Sequence, residues 1–361
     1  MKSNRKLGAV LAAVLLIIQG SALAERTDGG FYTLVDEDGR VITMTARHLD
    51  VGDAYIAADN RRYEVASISG DEVRVRYTET ITLPRVDLEG WRAQVVGSAA
   101  GGERVVGIYH THNDESYVPT SGTESKADGS GDILQVGKAL ADAMERLGFT
   151  VIWSDASHLP HDGEAYIRSR RTAMAMLEKG PVTLIDVHRD ATPPEVYEAE
   201  VEGQPVTKVR IVVGRQNQNR EANLEYAKRI KAVADQEFPG IIEGIFDARG
   251  NYNQDLGPHM ILLEFGAHTN YMEHAQQAAE FFAKVIPAAA GIAPGQEQEA
   301  EKQIGQPAAK SVLWIIGAAA AAVVGYLALN KQGLGSLAGF FRREAGLGNT
   351  SDTDGSQESE E

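Results

Sequence analysis

The run Ile108-Tyr109-His110-Thr111-His112-Asn113-Asp114-Glu115-Ser116-Tyr117 sets two histidines at the end of an apolar stretch, Arg104 to Tyr109, with carboxylates and hydroxyls directly behind. Two more apolar stretches end in the same way. Pro181 to Val187 runs into His188-Arg189-Asp190, and Met260 to Leu263 runs into Glu264-Phe265-Gly266. Imidazole nitrogen and carboxylate oxygen are donors that zinc accepts, and a strand end holds them rigidly while the loop beyond leaves room for a substrate. Three apolar strands delivering His, His and Glu to one edge of a sheet make the arrangement a mononuclear zinc hydrolase needs. Singly, each motif is weak. A lone histidine at a strand end is more often structural than a ligand, and His188 beside Arg189 and Asp190 reads either way. His110 and His112 lie two apart, so as strand residues they would share a face. Glu264 is harder to explain otherwise, because a carboxylate at a buried sheet edge is costly unless paired or coordinated.

The elements that must carry these residues follow from periodicity. After the first histidine strand, Ile133, Val136, Leu140, Ala143, Met144 and Leu147 recur at helical spacing and stop at Gly148. Further strands are expected at Phe149 to Trp153 and Val209 to Gly214, with helices over 164–178, 221–238 and 272–288. Repeated βα units predict an α/β domain over 103–292, a mostly parallel sheet with helices on both faces. Ligands of such sheets bind at the carboxyl ends of the strands, where the three motifs sit. Ahead of it, residues 25–102 show alternating patterns at Phe31 to Val35, Arg62 to Ile68 and Glu72 to Tyr77, punctuated by Asp38-Gly39, Gly52-Asp53 and Gly70-Asp71. They predict a small β-rich domain with no catalytic constellation of its own.

Composition narrows the chemistry. The 361 residues are 43% hydrophobic and 24% charged, as in globular proteins. A net charge of −16 argues against a nucleic-acid partner held by charge. With no cysteine in the chain, thiolate zinc ligands and a thiol nucleophile are excluded, which leaves His and carboxylate.

Both ends point to export and a membrane. Lys2, Arg5 and Lys6 precede an apolar segment from Leu7 to Ile18, and Ala22-Leu23-Ala24 fits a signal-peptide cleavage site, giving a signal peptide over 1–24. Val312 to Leu329 is an uncharged apolar run of about 18 residues, at the lower limit for a spanning helix, with Trp314 and Tyr326 near its ends and Lys331, Arg342 and Arg343 beyond. The expected topology is single-pass in the cell membrane, with the α/β domain extracytoplasmic. Residues 293–311 then form a flexible spacer and 330–361 an acidic, disordered cytoplasmic tail.

Tyr109 to Tyr117, Asp186-Val187-His188-Arg189-Asp190, Tyr252-Asn253-Gln254-Asp255-Leu256 and Leu263-Glu264-Phe265-Gly266 together resemble the sporulation stage II protein P family, a divergent branch of the zinc-dependent N-acetylmuramoyl-L-alanine amidases. The resemblance covers about residues 103–291 and leaves the β-rich segment outside it. It implies a peptidoglycan hydrolase that cuts the amide between muramic acid and the stem peptide, and peptide cross-links as a second bond class. It further implies septal wall remodelling during engulfment, with a second wall hydrolase and a membrane scaffold protein as partners. By the same resemblance His112 and His188 are zinc ligands and Glu264 the catalytic glutamate, in an E-x-G-x-x-x-N run that ends at Asn270. The carboxylate ligand falls on Glu124, with Asp128 or Glu115 as alternatives, and His110 is left to orient the site from behind. The usual family anchor is N-terminal, whereas the clear span here is C-terminal.

The residue types suggest the chemistry. Zinc on two imidazoles and one carboxylate keeps a position open for water, and Glu264 serves as general base and then acid. Arg189 stabilises the oxyanion or binds the peptide carboxylate, or else pairs with Asp190. The Asn251 to Leu256 loop is the candidate for substrate binding. Two other readings compete: a non-catalytic peptidoglycan-binding scaffold that recruits wall hydrolases, and a zinc carboxypeptidase or deacylase with another substrate.

Overall fold

The apolar runs that close on the three motifs all become interior strands of one sheet. The computed structural model describes residues 26, 28–97 and 104–291. The leading segment forms β1 (Tyr32–Val35), β2 (Val41–Thr45), β3 (Ala54–Ala57), β4 (Arg61–Ser69), β5 (Glu72–Thr80) and helix α1 (Leu88–Gly97). Then come β6 (Val105–Tyr109), the short α2 (Val118–Ser121), α3 (Ile133–Arg146), β7 (Thr150–Trp153), α4 (Ala165–Leu177) and β8 (Thr183–Asp190). A hairpin of β9 (Glu198–Val201) and β10 (Gln204–Thr207) leads into β11 (Val209–Gly214), α5 (Arg220–Glu237), β12 (Ile242–Ala248), β13 (Met260–Ala267) and α6 (Met272–Ala289).

Eleven strands share one sheet in the order β2-β1-β5-β4-β3-β12-β11-β13-β8-β6-β7. Strands β7, β6, β8 and β13 run parallel, but β11 is antiparallel to β13, and β12 runs with β11. Over residues 104–291 the sheet is thus mostly parallel, as expected, with the reversal at β11 the exception, and the leading strands make the whole sheet mixed. The reason for the reversal lies after Asp190. Parallel neighbours need a crossover, usually a helix, and here the β9–β10 hairpin stands where a helix would. The chain re-enters the sheet at the edge it left, and β11 runs backwards.

The leading strands do not build a sheet of their own. β3 pairs antiparallel with β12 from Gly244↔Ala57 to Asp247↔Ala54, so the segment expected as a separate small domain extends the sheet of the α/β region. Strand alternation sorts the β13 side chains. Ile261, Leu263 and Phe265 join Val106, Ile108, Ile185 and Val187 in a core with α3, α5 and α6. On the opposite face, α4 packs Ala173 and Met176 on Tyr109, Leu184 and Met260. Beyond α4 the cover is not helical: Leu262, Val212 and Phe246 pack against Leu34, Leu49, Tyr55, Tyr63 and Val65 of the leading segment. The helices-on-both-faces expectation thus holds beside α4, and β strands replace helices over the rest of that face.

No helix among the described residues is long and apolar enough to cross a membrane. The expected signal peptide, the spacer, the span Val312 to Leu329 and the acidic tail lie outside the described residues.

Candidate metal centre

Strand β6 ends at Tyr109, and residues 111–114 turn at once. That turn parts the two histidines that strand geometry would have set on one face. The His110 ring goes under α3, where Nδ1 donates to Val187 O at 3.1 Å. It fills the space over Gly137, at which a Cβ would lie 2.2 Å from His110 Cε1. Burial pulls its pKa down to about 4, so the imidazole is neutral. His112 swings to the other side, and the same turn brings Glu115 back beneath it, with Glu115 N donating to His112 O at 3.3 Å.

There Glu115 meets the end of β8. Glu115 Oε1 lies 3.2 Å from His188 Nδ1 and 3.3 Å from His112 Nδ1. One donor atom each from His112, Glu115 and His188 falls within 4.8 Å of the others, and all three residues are buried. Among the described residues no other group of three such side chains converges so closely. Glu124, the carboxylate the resemblance favoured, is not in this set. Its side chain is exposed, 3.9 Å from His268 Nε2, because the loop that carries it contributes its backbone instead. Glu124 O accepts from Ser116 N at 2.9 Å and from Arg189 Nη2 at 2.9 Å. Asp128 is likewise turned outward, bonded to Ser130 Oγ at 2.7 Å.

The three side chains satisfy one another only in part, since His188 Nδ1 bonds Glu115 Oε1 at 3.2 Å. His112 Nδ1 faces Glu115 at an angle that makes no hydrogen bond, and His188 Nε2, 3.0 Å from Asp186 Oδ1, is also unaligned. Buried polar atoms are nearly always paired, so an unpaired His112 Nδ1, 3.3 Å from a carboxylate that also meets His188 Nδ1, fits a cation. The donor types, two imidazoles and one carboxylate, fit zinc. The charges are arranged for it. Burial opposes the Glu115 carboxylate, but His188, His112 and Arg189 hold its pKa well below the usual range. Burial likewise opposes a charged His188, and Asp186 with Glu115 outweighs it, raising its pKa. His112 is shifted the other way, by burial first and then by His161.

A second layer fixes these donors. Asp186 accepts from Thr111 N at 2.8 Å and Thr111 Oγ1 at 2.6 Å. Arg189 N donates to Glu115 Oε2 at 2.9 Å, so Arg189 reaches the centre through its backbone. The expected Arg189–Asp190 ion pair is absent, because Asp190 pairs with Arg210. Aromatic rings wall the centre: His161 stacks on His112 at 3.9 Å, and Tyr166 lies edge-on to His112 at 5.5 Å and stacked on His188 at 6.3 Å. Tyr252, from the loop expected to bind substrate, packs against Tyr166 at 5.3 Å and is buried.

Glu264 pairs with His188 across the β13–β8 ladder and is fully buried. Its Oε1 takes Nη2 of Arg47, and its Oε2 accepts from Tyr197 OH at 3.0 Å, with Arg210 Nη1 at 3.6 Å. Arg47 comes from the segment assigned no chemistry, just after β2. Nothing in its local sequence marks it; the pairing of β3 with β12 and the contacts of Met44 and Ala46 with Arg210 and Asp190 bring it here. Asn270 is a turn residue, its Oδ1 accepting from Ala267 N at 2.8 Å.

With this geometry in hand, relatives can be compared. Residues 56–287 match the family described as stage II sporulation protein P (SpoIIP). The chain belongs to that family. The match starts inside the leading strands rather than at residue 103, in keeping with the continuous sheet. The stage II sporulation protein P of Bacillus subtilis (strain 168) is 33% identical over 204 residues, 52% of this chain and 51% of that one. The chain thus spans about half the length of that curated relative. Solved structures overlap only loosely. The N-acetylmuramyl-L-alanine amidase Ami1 from Mycobacterium smegmatis has a TM-score of 0.37 at 15% identity, covering 55% of this chain and 100% of that one. The CwlD amidase from Clostridioides difficile, solved in complex with the GerS lipoprotein, has 0.36 at 14%, covering 52% and 97%. Overlap at that level establishes neither a shared site nor a shared activity.

Proposed function

We propose that this member of the stage II sporulation protein P family is a zinc-dependent peptidoglycan hydrolase that cleaves the N-acetylmuramoyl-L-alanine amide, with peptide cross-links as a second bond class. The observation that carries the reading is the convergence of His112, Glu115 and His188 within 4.8 Å, beside a buried glutamate on the next strand. Family membership directs the choice of substrate toward the wall.

Zinc held by these residues supplies Lewis acidity, which acidifies water and polarises the scissile carbonyl. The chain's own groups do the rest. Glu264 takes the proton of the attacking water and returns it to the departing amine nitrogen as the C–N bond breaks. Tyr197 and Arg210 hold that carboxylate from the Oε2 side. Asp186 and the Arg189 N–H hold His188 and Glu115 in place. Burial of the whole set keeps bulk water away, which strengthens each of these interactions.

We place the protein at the cell membrane with residues 103–292 outside, held by the span at Val312 to Leu329, and working in septal remodelling with a second wall hydrolase and a membrane scaffold protein. A protease added to intact protoplasts is expected to remove the catalytic region and spare a C-terminal tag; digestion of the tag rejects that topology. The activity is tested by digesting purified sacculi with the zinc-loaded protein and identifying the products by mass. Sacculi bound but uncut, or cut only at a terminal residue, reject it.

A further inference from the structure

The leading segment reaches the centre of the molecule through one short stretch. Thr43 Oγ1 donates to Glu243 Oε1 at 2.5 Å, Arg210 Nη2 donates to Met44 O at 2.9 Å, and Ala46 N donates to Asp190 Oδ1 at 3.0 Å. These contacts fix the backbone on both sides of Thr45, and the next residue, Arg47, meets Glu264 with both side chains buried. Its guanidinium also lies 5.0 Å from the centroid of the Tyr252 ring. Tyr252 packs on Tyr166, and Tyr166 stacks on His188. Arg47 therefore stands between the carboxylate and the aromatic wall of the metal centre.

Stability alone is a poor reason for such a network. Burying an ion pair costs desolvation that its attraction often fails to exceed, and well-packed apolar residues commonly do as well. What a fixed guanidinium gives instead is direction. An ionised carboxylate has about four lone-pair positions. Arg47 takes Oε1 while Tyr197 and Arg210 take Oε2. Donors on both oxygens fix the plane of the group and determine which lone pair faces the reacting water.

We propose that Arg47 is a positioning residue for Glu264, so that the leading strands supply part of the working site. The proposal rests on the hydrolase reading above, in which Glu264 carries the proton from water to the amine.

The test uses the full-length, zinc-loaded protein on a defined muropeptide, with Arg47→Met and Arg47→Lys each made in wild-type and Glu264→Gln backgrounds. In the wild-type background, Arg47→Met is expected to lower kcat by about 10²-fold, the usual cost of a misplaced catalytic group, with KM and bound zinc unchanged. Arg47→Lys is expected to recover part of the loss, since it restores one donor. In the Glu264→Gln background the same Arg47→Met change is expected to cost less than about twofold, because residues that act as a unit are strongly non-additive. An unchanged kcat in Arg47→Met, or an equal loss in both backgrounds, overturns the proposal. Should Arg47→Met fail to fold, Arg47→Lys carries the comparison on the same terms. A wild-type protein that loads zinc and releases nothing fails differently: it removes the hydrolase reading itself.

Discussion

Glu115 Oε1 stands 3.2 Å from His188 Nδ1, with both side chains fully buried. A turn and a strand that are 73 residues apart supply the two atoms, and His112 completes the set from the same turn as Glu115. The ligand assignment follows from this contact and is directly open to substitution. Glu115→Ala, His112→Ala and His188→Ala are each expected to lose stoichiometric zinc, measured by elemental analysis of the dialysed protein. Glu124→Ala is expected to keep it. Retention of zinc in Glu115→Ala, with loss in Glu124→Ala, would restore the assignment that the family resemblance favoured.

Glu264 should behave differently from the ligands. Glu264→Gln is expected to retain zinc and to slow muropeptide release by about 10²–10⁴-fold, the contribution typical of a general base. Loss of metal in this variant would move Glu264 into the coordination sphere and leave the proton acceptor unidentified.

The histidines and Glu264 were legible because each closes an apolar run, and helices α3 to α6 were legible from their 3.6-residue periodicity. Glu115 was harder to choose. It follows His112 by three positions in a polar loop, and only the tight turn at 111–114 carries it under the imidazole. Strand β12 escaped notice because Glu243, Gly244 and Asp247 interrupt its apolar pattern. The structure explains all three: Glu243 pairs with Arg210, Asp247 with Arg220, and Gly244 makes room for the Tyr55 ring. Arg47 and the β3–β12 pairing depend on contacts between distant parts of the chain, which no local pattern records.

Gly244 gives a test of that continuous sheet. A Cβ there would lie 2.5 Å from Tyr55 Cε2 and Oη, and the ring is buried between β3 and β12. Gly244→Ala is expected to destabilise the fold by about 1–3 kcal/mol, as overpacking does, and to expose the leading strands to limited proteolysis. Unchanged urea unfolding and an unchanged digestion pattern would mean that the two parts are not packed as described.

Two imidazoles away from the metal set, His158 buried and His259 half-buried, predict how stability varies with pH. His158 Nδ1 donates to His110 O, and its Nε2 shares a hydrogen bond with Thr172 Oγ1. Burial lowers the folded pKa of His158 and of His259 below the ordinary 6.5. The unfolded chain then binds more protons between the lowered values and 6.5, so stability must fall as pH drops through that window. Urea midpoints measured from pH 7.5 to 5 are expected to decline, and the decline should be smaller in His158→Gln. A flat profile in the wild-type protein would contradict neutral burial of these rings.

The central claim is that His112, Glu115 and His188 hold zinc and that this centre cuts the wall. Its most direct measurement is the mass of the products released from purified sacculi by metal-stripped protein to which one equivalent of zinc is returned. The expected products are stem peptides bearing a free L-alanine amine and glycan strands with intact muramic acid, appearing only after zinc is restored. Release without zinc, or zinc bound at one equivalent with sacculi left whole, would contradict it.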